Sequence, residues 1–124
     1  MGIPILKQGE YLIATVQSPL TDRDFVQLRD ELTAAVARFR SRGVIIDVSA
    51  LDVLDSFAAR TLRNIAQATR LEGARTVVVG IQPDVAFAMV QLGLALEGVA
   101  TALDLEEGLA YLDRTIGGER RLHA

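Results

Sequence analysis

The chain has 124 residues, 13 Lys and Arg against 16 Asp and Glu, one His and no Cys, for a formal charge of −3. That length suits one domain, and a composition half hydrophobic and 23% charged supplies a core and excludes a disordered chain. Disulfides, thiol nucleophiles and thiolate metal sites are excluded, a lone His123 builds no His-rich site, and a mildly acidic chain without a Lys/Arg run carries no electrostatic footprint for nucleic acid.

Residues 1–7 carry neither a basic segment before a long apolar run nor a small-residue cleavage pattern, so no signal peptide is expected. No stretch reaches the roughly 18 apolar residues that span a bilayer. A cytoplasmic protein that does not engage a membrane is the expectation.

The β-rich segment from Tyr11 to Val16 reads as a strand closed by Ser18-Pro19. Thr21 and Asp24 then approximate a capping box, and Phe25, Leu28, Leu32, Ala35, Val36 and Phe39 recur at helical spacing, predicting a helix over about 22–41 capped by Gly43. The unalternating run 44–48 reads as a strand buried on both faces. A second helix begins at Ser56 and ends at Gly73, and 76–79 is a further central strand closed by Gly80. Pro83 opens a helix through about Leu92, which Gly93 terminates. A weak strand near 99–102 precedes a capping-box-like Asp104 and Glu107, with Leu105, Leu109, Leu112 and Ile116 on one face of the last helix. The domain is set at 1–116, with a short flexible tail over 117–124. The alternation predicts a single α/β domain, its mostly parallel or mixed sheet joined by helical crossovers.

In such a sheet the loops leaving the C-terminal strand ends gather along one edge, the usual place for function. Two loops should meet there: 49–56, with Asp52, Asp55 and Ser56, and 81–84, with Gln82 and Asp84. The plain reading of Ser56 is the N-cap of the second helix. A helix N-terminus also favours an attached phosphate, which would bring about −1.5 to −2 charge against the repulsion of Asp52 and Asp55. Nothing equips the serine as a nucleophile, since His123 lies in the tail and Gly-x-Ser-x-Gly is absent. The aspartates read as solvated loop residues, not an acid/base pair, and the scattered Gly73, Gly80, Gly93 and Gly98 form no phosphate loop. The helix after Pro83 is apolar nearly all round, which fits either burial under neighbouring loops or an exposed patch for self-association.

The strand 44–48 followed by Leu51-Asp52-Val53-Leu54-Asp55-Ser56-Phe57-Ala58-Ala59-Arg60-Thr61-Leu62 resembles the signature of STAS domains, whose anti-sigma factor antagonists carry an Asp-Ser pair at a helix start. The likeness covers about 5–116 in its order of elements. The strings Ile3-Pro4-Ile5-Leu6-Lys7, Gly80-Ile81-Gln82-Pro83 and Leu92-Gly93-Leu94-Ala95-Leu96-Glu97, with Thr101-Ala102-Leu103-Asp104-Leu105-Glu106, are similar to stressosome scaffold antagonists of the RsbS type. The resemblance implies a non-enzymatic switch without a cofactor. In it, Ser56 is the phosphoacceptor, and Asp52, Asp55, Ser56, Phe57, Arg60, Gln82 and Asp84 contact partners. Those partners are an RsbT-like serine kinase that is held until phosphorylation releases it, RsbR-like co-antagonists and an RsbX-like phosphatase, within a homodimer and a large hetero-oligomer. The alternative is a STAS-like module that binds a nucleotide or other small ligand at the same edge.

Overall fold

The computed structural model describes residues 3–17 and 20–123, with side chains through residue 117. Five strands, β1 (Ile5–Gln8), β2 (Tyr11–Thr15), β3 (Gly43–Asp47), β4 (Arg75–Val79) and β5 (Ala100–Ala102), alternate with four helices. These are α1 (Asp22–Phe39), α2 (Ser56–Leu71), α3 (Pro83–Gln91) and α4 (Leu105–His123). The sheet order is β1-β2-β3-β4-β5, with β1 antiparallel to β2 and the other pairs parallel.

Because the parallel strands advance in one direction across the sheet, right-handed crossovers stack α1, α2 and α3 on one face. The period-2 alternation of the strands therefore supplies two cores. Leu12, Val44, Ile46 and Val78 pack with Leu28, Leu32, Leu62 and Ile65 of α1 and α2. Ile13, Ile45, Val77 and Val79 face Leu112 and Ile116 of α4 instead. Burial on both faces is why β3 and β4 carry unalternating apolar runs.

Three local expectations are corrected. β1 was not foreseen as a strand; it is a short, largely exposed edge whose four residues Ile5-Leu6-Lys7-Gln8 carry little β pattern. Gly43 does not cap α1, because Arg40 takes the left-handed conformation (φ 50°) and its N–H bonds the Val36 carbonyl. Gly43 opens β3 instead, where a Cβ would lie 2.8 Å from Leu112 Cδ1, so its missing side chain lets α4 approach the sheet. Finally, α4 runs on through His123, past the boundary set at 116. Gly117 and Gly118 weaken a helix by about 1 kcal/mol each without stopping it, and good helix formers follow. The proposed strand end at Ser18-Pro19 lies outside the described residues, as do the side chains of the predicted tail, His123 included.

Thr21 caps α1 as expected: its hydroxyl accepts from Asp24 N (3.1 Å) and Asp24 Oδ2 from Thr21 N (3.0 Å). At α4 Asp104 Oδ1 accepts from Glu107 N and Glu107 Oε2 from Leu103 N, one residue before Asp104, at 2.9 Å each.

Candidate functional site

The C-terminal edge of the sheet brings the two loops together through specific contacts. After β3, Asp47 Oδ1 accepts from Ser49 N (2.9 Å), turning the chain at once. After β4, Gly80 adopts φ +80°, and a Cβ there would lie 2.8 Å from Ser49 Cβ, so only glycine allows the loops to abut. Gln82 Nε2 then donates to the Ser49 carbonyl (2.8 Å), tying the entry of α3 to the exit of β3. Gln82 is thus half-buried and engaged within the protein, while Asp84 lies exposed in the first turn of α3.

Within the β3–α2 loop, Leu51 and Leu54 are buried anchors and hold an exposed crest between them. Asp52 is exposed on that crest, and Val53 beside it is 73% exposed. Sequence reasoning passed over Val53; an apolar residue next to Asp52 in a loop that also carries Asp55 was the available signal.

The assignment of Ser56 as N-cap is corrected. Asp55 holds the extended backbone of a cap (φ −84°, ψ −178°), and its Oδ1 accepts from Ala58 N at 2.8 Å. A carboxylate at this position satisfies the orphan N–H and also carries charge of the sign that the helix N-terminus favours. Ser56 becomes the first residue of α2, and its exposed hydroxyl makes no hydrogen bond among the described residues. Asp55 is consequently more than a solvated loop aspartate, because it sets the start of the helix that presents the serine. Phe57 is half-buried against the α1–α2 core, whereas Arg60 is exposed one turn further along. Asp52, Asp55, Ser56, Arg60 and Asp84 are exposed on this side of the fold, whereas Phe57 and Gln82 are half-buried, Phe57 on the core and Gln82 on the Ser49 carbonyl.

The edge continues onto α3, whose expected apolar surface is exposed, not buried under loops. Only Val85 and Met89 are buried, while Phe87 is 65% and Val90 78% exposed. Ile81, Met89, Val90, Leu94, Leu96 and Leu103 line an open groove of about 430 Å³ between α3 and the β5 side. Exposed apolar patches are where proteins commonly meet partners. Arg63 of α2 donates to the Ala95 carbonyl and links this region to the helix that carries Ser56.

Among the described residues no cluster of His, Asp and Glu is arranged to hold a metal, and no helix is long and apolar enough to cross a membrane. The STAS domain profile matches residues 3–108. Among solved structures, a serine-to-glutamate variant of RsbS from Moorella thermoacetica superposes with a TM-score of 0.78 at 37% identity, covering 92% of this chain and 97% of that one. A chain from "Molecular architecture of the stressosome, a signal integration and transduction hub" gives 0.76 at 38% identity, covering 91% and 98%. The RsbT co-antagonist protein RsbRA of Bacillus subtilis is 31% identical over 98 residues, 79% of this chain. The chain spans about a third of that relative's length.

Proposed function

The chain belongs to the STAS domain family, and on that premise we propose that it is an anti-sigma factor antagonist and stressosome scaffold switched by phosphorylation of Ser56. The observation that carries the proposal is the first turn of α2. Asp55 takes over the capping hydrogen bond, leaving the Ser56 hydroxyl exposed and uncommitted, a substrate for another enzyme. Similarity to RsbS, to a stressosome chain and to an RsbT co-antagonist supports the same reading.

In this scheme the unmodified edge retains an RsbT-like serine kinase over Asp52, Asp55, Ser56, Arg60 and Asp84. RsbR-like STAS domains co-assemble with this one through the apolar face of α3, and an RsbX-like phosphatase resets the serine. Phosphate adds about −1.5 to −2 charge at the end of α2, where the helix N-terminus tolerates it. A partner docked over that edge must then desolvate the phosphate or meet its repulsion beside Asp52 and Asp55, and such a mismatch costs several kcal/mol in binding. Release needs only this local charge, with the fold unchanged.

The test is incubation of the pure protein with ATP and an RsbT-type kinase, followed by mapping of phosphate by mass spectrometry. Phosphate is expected on the peptide containing Ser56 and absent from Ser56→Ala. Stoichiometric phosphate on the Ser56→Ala protein would overturn the assignment.

A further inference from the structure

The sheet ends in two edges that differ in kind. β5 is three residues long and partly covered, whereas three of the four residues of β1 are exposed. The phase of the ladder decides what β1 offers a neighbour. Thr15 N donates to the Pro4 carbonyl (3.3 Å), and the register sets Leu6 opposite Ile13 and Gln8 opposite Tyr11. Backbone groups alternate along an antiparallel strand, so Pro4, Leu6 and Gln8 turn theirs to β2, while Ile5 and Lys7 turn N–H and C=O away from it. Among the described residues neither Ile5 nor Lys7 has a backbone partner on that outer side.

The side chains of β1 are sorted to match. Leu6 stands beside Ile13, on the face that α4 packs against. α4 lies over β3, β4 and β5, and Leu6, beyond them, is 61% exposed. Natural edge strands are commonly blunted by a charge. Lys7, the one charge of β1, stands beside Leu12 on the opposite face, and its Nζ lies 6.0 Å from the centroid of the Phe39 ring at the end of α1. Its ammonium is thereby drawn off the edge, which stays open.

We propose that β1 pairs antiparallel with β1 of a second copy of the chain, about a two-fold axis at Leu6, so that two sheets become one continuous sheet. Ile5 then exchanges backbone hydrogen bonds with Lys7 of the second copy, and Lys7 with Ile5 of the second copy. Leu6 faces Leu6 of the second copy as a non-hydrogen-bonded pair, the arrangement in which opposed side chains come closest. A shift of one residue would break the hydrogen-bond phase, and a shift of two would set Leu6 against Pro4 or Gln8, so the exposed leucine selects the register. The contact is isologous and closes at two copies. It does not depend on the state of Ser56, and it leaves the β3–α2 loop and the apolar face of α3 open in both copies.

The chain has no Cys, so a single introduced thiol reports on this contact alone. Leu6→Cys sets two thiols across the axis with Cα atoms about 4.5 Å apart, inside the span that a disulfide bridges. Under mild oxidation it should form a disulfide-linked dimer at least about tenfold faster than Leu71→Cys, whose side chain is 90% exposed at the end of α2. Sedimentation equilibrium should show a wild-type dimer and, for Leu6→Glu, a dissociation constant raised at least about tenfold, because like charges then stand directly opposite. Circular dichroism of Leu6→Glu should match wild type, since the replaced side chain is exposed, and Phe87→Glu should dimerise as wild type does. The cysteine experiment adds no charge and decides the matter even where Leu6→Glu disturbs β1. A monomeric wild type, cross-linking of Leu6→Cys no faster than that of Leu71→Cys, or a Leu6→Glu protein that dimerises like wild type would each overturn the proposal. A dimer lost in Phe87→Glu and kept in Leu6→Glu would overturn it and move the contact to α3.

Discussion

At the scale of single residues, the decisive pair is Asp55 and Ser56. Their adjacency was legible in the sequence, and so was the start of a helix there. Which of them caps was not, because Asp and Ser are comparable N-caps and backbone angles decide between them. The answer matters for the switch: a capping serine would surrender its hydroxyl to the helix, whereas an Asp55 cap leaves Ser56 available. Asp55→Ala should therefore lower unfolding free energy by about 0.5–2 kcal/mol, while Ser56→Ala should change it by no more than about 0.5 kcal/mol. Urea denaturation of both variants measures this, and the reverse order would restore Ser56 as the cap.

At the scale of elements, central strands and helices could be read because burial imposes clear patterns on them: unalternating runs in β3 and β4, helical spacing in α1 and α2. Features that depend on distant contacts could not. β1 is an edge stabilised by pairing with β2, and Gly43 looks like a cap until the approach of Leu112 is known. Apolar residues round α3 left burial and exposure equally open, since periodicity does not say whether another element covers a face. The capping box of α1 was legible and makes a pH prediction. Hydrogen bonds from the Thr21 backbone and side chain, in that order of weight, hold Asp24 below its ordinary value near 3.8. Its folded value is the lower one, so its contribution to stability is present above the unfolded pKa and is lost as pH falls through the folded pKa. Replacing Asp24 by Asn should flatten this acidic limb of the stability profile, measured by thermal denaturation between about pH 5 and pH 2, and should leave the neutral-to-alkaline limb parallel to wild type. An unaltered acidic limb would contradict it.

At the scale of the whole molecule, a single mixed-sheet α/β domain was legible from element order, because parallel strands require helical crossovers. Surface use was less so, being set by which faces the fold leaves uncovered. Phe87 and Val90 are those faces on α3, and Phe87→Glu should weaken co-assembly with a second STAS domain at least about tenfold while sparing the monomer fold, since a buried charge at an apolar contact goes unpaired. Size-exclusion chromatography with light scattering on the mixed domains reads the change, and unaltered assembly would move the interface elsewhere. The account as a whole rests on release by local charge at the edge built from the two loops. Its most direct test is titration of an RsbT-type kinase against the unmodified protein and against the same protein phosphorylated at Ser56, in parallel with backbone NMR shifts of both forms. The account predicts tight retention before phosphorylation, a loss of affinity of at least about tenfold, or about 1.4 kcal/mol, after it, and shift changes confined to the neighbourhood of residues 52–60. Equal affinity for the two forms would contradict it, as would shift changes spread across β4 and α4.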